Sequence, residues 1–245
     1  MGCFDELFAI YQKVDDILFK KVAEINKNES VNHKKIGMPF FMFGLDNYLD
    51  ADVKLMVFGQ EPHHYGDSSK WKSLAYGEDE SVTLDDMMNF YEEFMMEKYG
   101  GSGIFQRTIR NFVKRASEKK PGVKVDYLWN NILKIGLLEN KGADTFMKQW
   151  YPQIIKPYLN PLIPEEINIL KPDHIIFFTG YKHDNYINDI FDNPQWIETD
   201  SFHKNDLCEV KIPNVKKAFR TYHPLYLNTF HRKEEVHERI LNEIM

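Results

Sequence analysis

The sequence predicts an α/β protein of three layers, α/β/α, built on a central, mainly parallel sheet of four strands. Three observations carry that expectation. Short apolar runs recur at Val53–Phe58, Val123–Trp129, Pro172–Phe178 and Val215–Tyr222. Each is stopped by turn residues: Gly59 with Pro62, Asn130 with Asn131, Gly180, and His223 with Pro224. Segments of helical period lie between the runs, so consecutive strands are joined by crossovers and pair in parallel. Polar residues collect just past each run. Right-handed crossovers bring those ends to one side of the sheet, where open α/β sheets bind their ligands.

Taken in order, Phe4 to Ile25 carries apolar residues at helical spacing and reads as the first helix. Pro39–Phe43 and Leu45–Leu49 read as irregular or short helical packing that covers one sheet edge. Val53–Phe58 is the first buried strand. Residues 67–77 are aromatic and polar, a loop. Thr83 to Asp86 resembles a capping-box start for a helix over Met87–Tyr99, stopped by Gly100 and Gly101. Ile104–Lys119 is the next helix, closed by Pro121 and Gly122 ahead of the second strand. Asp144–Tyr151 and Pro164–Leu170 read as helices separated by a bent stretch holding Pro152, Pro157 and Pro161. A short helix over Asp184–Phe191 follows the third strand, then loop with edge-strand pieces over Asp192–Val210, then the fourth strand. Lys233–Ile244 closes the chain as a helix. The whole, 1–245, reads as one domain with a helical segment, 1–50, packed on it.

Composition narrows the class of function. Phe 18, Tyr 13 and Trp 4 among 245 residues supply ample core. No apolar run approaches bilayer thickness, and Asp5 and Glu6 stand where a signal peptide would be basic, so a membrane partner is not expected and a cytoplasmic location is. Cys3 and Cys208, the two cysteines, are too few for a four-cysteine metal site. The net charge of -6 hides two acid-free basic stretches. One runs from Lys211 to Lys233 and the other from Gly101 to Ser117, and both are compatible with a phosphate backbone.

The chemistry-bearing residues stand at the strand ends. Gln60, Glu61, His63 and His64 follow the first strand, Asn130 the second, Thr179 and Gly180 the third, His223 the fourth. Those ends resemble the uracil-DNA glycosylase superfamily. Gly59-Gln-Glu-Pro-His-His64 is similar to the Gly-Gln-Asp-Pro-Tyr-His motif of its first family. Tyr127-Leu-Trp-Asn130 is similar to the family's Leu-Leu-Leu-Asn segment, and His223-Pro-Leu-Tyr-Leu-Asn228 to its His-Pro-Ser-Pro-Leu-Ser motif. The resemblance implies a uracil-DNA glycosylase-like fold and a monofunctional DNA glycosylase that flips a base out and hydrolyses its N-glycosidic bond. It implies catalytic roles for Glu61 and His223, and base binding by Gln60, His63, Asn130 and Tyr76, the last as the stacking aromatic. Leu225, Tyr226 and Leu227 match the minor-groove wedge. Ser68, Ser69 and Arg220 are taken as further DNA contacts. No cofactor and no metal are needed, and the partner is DNA bound by a monomer.

Departures from the pattern matter. Glu61 replaces an aspartate and lengthens the arm by a methylene, while His63 replaces the tyrosine that excludes thymine's methyl in the family. A smaller imidazole beside C5 fits a polar substituent there, so the expected substrate is a C5-modified pyrimidine, such as the hydroxymethyl- or glucosyl-hydroxymethylcytosine of phage DNA. Rival readings are an ordinary uracil-DNA glycosylase of base-excision repair and a catalytically idle member that binds DNA or a partner. A metal cluster of Glu61, His63, His64 and Asp67 is disfavoured by Pro62 and the adjacent histidines. The other histidines, His33, His174, His183, His203, His231 and His237, read as surface or capping residues.

Overall fold

The computed structural model describes residues 2–26, 37, 39–43, 46–62, 83–95, 103–137, 143–229 and 232–245. In chain order the helices are α1 (Cys3–Asn26), α2 (Asp46–Leu49), α3 (Leu84–Met95), α4 (Ile104–Lys119), α5 (Ala143–Trp150), α6 (Leu162–Leu170), α7 (Asp184–Ile190), α8 (Pro224–Thr229) and α9 (Lys233–Ile244). The strands are β1 (Val53–Gly59), β2 (Val125–Asn131), β3 (His174–Phe178), β4 (Trp196–Glu198), β5 (Leu207–Val210) and β6 (Lys217–Thr221). They form two compact units interleaved along the chain. One takes residues 1–43, 61–93 and 133–169, the other 44–60, 94–132 and 170–245.

The second unit holds the sheet, a six-stranded one in the order β2-β1-β3-β6-β5-β4. The four expected strands are all present and pair in parallel, β2 with β1, β1 with β3 and β3 with β6. Two short antiparallel strands, β5 and β4, extend the sheet beyond β6. They come from the stretch read as loop with edge-strand pieces. A three-residue strand whose residues are only half-buried or exposed carries little period-2 signal. Register sets the strand ends level. Gly59 faces Asn131, Phe58 faces Phe177, and Phe178 faces Thr221.

Alternation then sorts the side chains. Leu55, Val57, Ile176, Phe178 and Phe219 share one core with Phe105, Ile109, Phe112 and Ala116 of α4 and Val236, Ile240, Leu241 and Ile244 of α9. Each of the Val, Leu, Ile and Phe side chains removed from water contributes about 1.5–3 kcal/mol. On the opposite face Phe58 stacks on Phe177 at 4.8 Å, and Phe191, just past α7, meets Phe177 edge-on at 6.1 Å. Helix α2 packs beside the edge strand β2, as expected for the approach segment.

Within the first unit, α1 is anchored by a buried polar knot. The Tyr11 hydroxyl donates to Glu166 Oε1 at 2.5 Å and accepts the Met42 N–H at 2.9 Å. Lys134 Nζ sits 2.7 Å from the same carboxylate oxygen and 2.9 Å from the Phe40 carbonyl. Lys134 and Glu166 are wholly buried, so either one alone would be an uncompensated charge. The bent stretch expected between α5 and α6 is not a break. The chain runs on from α5 as a π-helix over Tyr151–Leu159, closed by Asn160 N–H to Ile155 O at 2.8 Å, a five-residue step. The wider winding accommodates Pro157, which would clash with an α-helical turn.

Most cations of the Lys211–Lys233 stretch, and Lys114 and Arg115 of the other, are paired with acids. Lys211 and Lys217 pair with Glu209, Lys216 with Asp173, Arg220 with Asp184, and Arg232 with Asp206 and Glu235. On α4, Arg115 reaches Glu234 at 2.5 Å and Glu238 at 2.9 Å of α9, Lys119 pairs with Glu238, and Lys114 with Glu118. The carboxylates come from other elements or from one turn away. A run without acids in sequence is therefore not a run without acids in space.

Candidate active site

Past the carboxyl ends of β1, β3 and β6 lies a cavity of about 310 Å³. Its walls are Gln60, Thr179, Gly180, Tyr181, Lys182, His183, Tyr222, His223 and Tyr226, all of the second unit. Gly180 makes the turn out of β3 with φ 77° and ψ 155°, a conformation essentially confined to glycine. Its N–H is held by the Thr221 carbonyl at 2.9 Å, which ties the end of β3 to the end of β6.

His223 is the best-defined polar group of the cavity. Pro224 starts α8 directly behind it, and the Leu225 N–H donates to His223 Nδ1 at 3.3 Å. A nitrogen that accepts cannot carry the proton, so the neutral ring holds its proton on Nε2 and is a donor there. The ring stacks on Phe105 at 5.5 Å. Burial, then the nearby His183, push its pKa from 6.5 to about 4. The imidazole is therefore a neutral hydrogen-bond donor at pH 7.

Gln60 and His183 form the facing wall. Gln60 Nε2 donates to the Thr179 carbonyl at 2.7 Å and lies 3.4 Å from His183 Nδ1. Burial lowers the His183 pKa; the Thr179 carbonyl opposes this and Lys182 adds to it. At the end of β2, Asn130 is fully buried, and its Oδ1 accepts the Asn131 N–H at 2.8 Å. Its Nδ2 faces Met56 Sδ at 3.9 Å, and it does not line the 310 Å³ cavity. Neighbouring Asn131 is also wholly buried, and its amide has no hydrogen-bond partner among the described residues. Gly59 is required there, because a Cβ would fall 2.5 Å from Asn131 Oδ1 and 3.2 Å from Phe105 Cζ.

Of the other residues expected at the site, Glu61 is half-buried in the first unit beside Gly136, whose added Cβ would meet it at 3.6 Å. Leu225 and Tyr226 are 55% and 54% exposed, as a DNA-contacting pair requires. Leu227 is not available as a wedge, because it is buried in the core shared with α4 and α9. Arg220 is likewise no DNA contact. It is 2% exposed, ion-paired to Asp184 at 2.9 Å, and donates to the Lys204 and Asn205 carbonyls at 2.7 and 2.9 Å. His63, Ser68, Ser69 and Tyr76 lie outside the described residues, as do His64 and Asp67 of the metal alternative. Among the described residues no three His, Cys, Asp or Glu side chains are grouped to hold a metal ion, and no helix is long and apolar enough to cross a membrane.

Sequence reasoning missed the cavity residues Tyr181, Lys182, His183 and Tyr222. The signal was their position, just past β3 and β6. The reading of the spare histidines as surface or capping residues holds for His203, whose Nδ1 accepts the Asn205 N–H at 3.2 Å. It fails for His174 and His237, which are buried, and for His183, which lines the cavity. His33 and His231 lie outside the described residues.

A mostly parallel open sheet with an imidazole donor beyond its strand ends belongs to the ligand-binding α/β sheets. The sequence model of the Uracil DNA glycosylase superfamily matches residues 47–244, and this chain belongs to that superfamily. Membership brings DNA as the partner and DNA glycosylase chemistry, hydrolysis of an N-glycosidic bond, as the general activity of the group. No curated relative matches the chain.

Proposed function

We propose that this protein is a monofunctional DNA glycosylase acting on a non-standard pyrimidine, with a C5-modified cytosine such as hydroxymethyl- or glucosyl-hydroxymethylcytosine as its substrate. The observation that carries the glycosylase reading is the His223 imidazole, tied through Nδ1 to the Leu225 N–H and left with an Nε2–H donor in a cavity at the strand ends. When the bond to the base breaks, its electron pair leaves with the base, and negative charge grows on the base carbonyl. A fixed neutral donor stabilises that charge without reorganising. Glu61 is the second residue past β1 in the chain. In this proposal its carboxylate stabilises the cationic sugar and takes a proton from the water whose oxygen bonds to C1′. Asn130 reads the pairing edge, with donor and acceptor on one amide. Leu225 and Tyr226 occupy the space the flipped nucleotide vacates. The C5 preference rests on His63 in place of a tyrosine.

The test is single-turnover excision from oligonucleotides carrying uracil, hydroxymethylcytosine or glucosyl-hydroxymethylcytosine, scored as alkali-labile sites. His223→Ala lowers the rate by about two to four orders of magnitude, and Glu61→Gln cripples the same step while DNA binding persists. Excision of uracil with none of the bulky bases would leave an ordinary uracil glycosylase. Borohydride separates the monofunctional reading from a lyase. No trapped adduct is expected, whereas an adduct abolished by Lys182→Ala would assign a Schiff base to the lysine in the cavity wall.

A further inference from the structure

The cavity holds a second imidazole that none of the motifs accounts for. His183 ends the 3₁₀ turn Tyr181–His183 directly after β3. Its ring is held on two sides. Nδ1 lies 3.4 Å from Gln60 Nε2, an amide itself anchored on the Thr179 carbonyl at 2.7 Å, and the ring meets Tyr186 at 5.9 Å. The Thr179 carbonyl also hydrogen-bonds the ring, so the imidazole is fixed in the cavity wall. His223 is built the same way, with Nδ1 on the Leu225 N–H and its ring on Phe105. Two imidazoles, each anchored to the protein, thus share one cavity of about 310 Å³.

One donor is enough for the carbonyl of a departing base. We propose that His183 is a specificity-determining residue of this site, its imidazole hydrogen-bonding a neutral hydroxyl-bearing substituent on the flipped pyrimidine while His223 takes the base carbonyl. The inference rests on the glycosylase reading and adds to it a residue that reads the substituent. It does so independently of His63. Burial lowers the pKa of both rings, so the pair suits a neutral hydroxyl better than a phosphate dianion. An unsubstituted base offers this imidazole no group to bond. A hydroxyl in its place supplies the missing partner, and sites built to bond such a group discriminate against analogues lacking it.

The experiment compares kcat/KM of the full chain and of His183→Leu and His183→Gln on matched oligonucleotides carrying uracil, 5-hydroxymethyluracil and 5-hydroxymethylcytosine. Thermal midpoints are measured alongside. The expected result is a fall of roughly tenfold to a hundredfold in the ratio of hydroxymethylated base to uracil for His183→Leu. His183→Gln, which keeps a hydrogen-bonding group, recovers part of it. A ratio within about twofold of the parent's, whatever happens to the individual rates, overturns the inference and leaves His183 a structural residue. If the parent excises none of these bases and no glucosyl-hydroxymethylcytosine either, the glycosylase reading itself fails and takes the inference with it; excision of the glucosylated base alone, unweakened by His183→Leu, overturns the inference only.

Discussion

The Leu225 amide determines what His223 can do. By donating to Nδ1 it places the ring's proton on Nε2, and burial with His183 nearby keeps the ring neutral down to about pH 4. A neutral donor and a charged general acid differ in their pH signature. If His223 acted as an imidazolium, the rate would fall as pH rose through 6.5, the ordinary histidine value. With the pKa lowered, His223 adds no inflection to the single-turnover rate between about pH 5 and 8. A rate profile on the tightest-bound base checks this, with His223→Ala to show which inflections belong to the ring. Arg220 teaches the opposite lesson at the same scale. Its neighbours in sequence, Lys216 and Lys217, suggested a phosphate contact, yet Asp184 and two carbonyls consume the guanidinium.

At the scale of elements, α8 separates two neighbouring leucines by function. Leu225 is 55% exposed beside the cavity and Leu227 is 1% exposed in the core. Leu227→Ala should cost about 2–5 kcal/mol of stability, whereas Leu225→Ala should change it by less than about 0.5 kcal/mol and weaken excision from duplex more than from single strands. Urea unfolding and paired duplex and single-strand assays read both. Gly180 is the corresponding test at β3. Gly180→Ala strains a backbone at φ 77° and should cost about 1–3 kcal/mol, with the turn carrying Tyr181 and His183 displaced from the cavity. Much of this architecture was legible from the sequence, because long apolar runs ending in glycine, proline or asparagine are strong signals. Strands β1, β3 and β6 and helices α4 and α9 fall where their patterns put them. What was not legible has physical reasons. Strand β4 is three residues long. A π-helix lets prolines pass that normally end a helix. Leu225 and Leu227 differ only in which side of a six-residue helix they occupy. His183 carries no motif and gains meaning only through the fold.

The molecule as a whole carries a store of acid lability in its histidines. His174 and His223 titrate at about 4 and His237 at about 3, all below the ordinary 6.5, and burial is the first cause in each. The unfolded chain takes up these protons near pH 6.5, while the folded chain refuses them until far lower pH. Their contribution to stability is therefore complete above 6.5 and is lost progressively as pH falls toward 3 or 4. His237 is the clearest instance. It is wholly buried on α9, meets Phe112 and Phe178 at 5.3 and 5.8 Å, and neither ring nitrogen has a hydrogen-bond partner among the described residues. Lys233 and Arg115 add positive potential against its protonation. A neutral imidazole in that setting contributes little that an apolar side chain would not, and it leaves polar atoms unpaired. His237→Leu should therefore raise stability at pH 7 by about 1 kcal/mol, the scale of relieving an unsatisfied buried group. It should also flatten the acid slope by up to about 1.4 kcal/mol per pH unit below 6, since one unfolded-state proton no longer opposes folding. Urea midpoints from pH 7.5 down to about 4.5 test both parts. A variant that is less stable at pH 7 with an unchanged slope would mean that His237 is protonated and partnered in the fold.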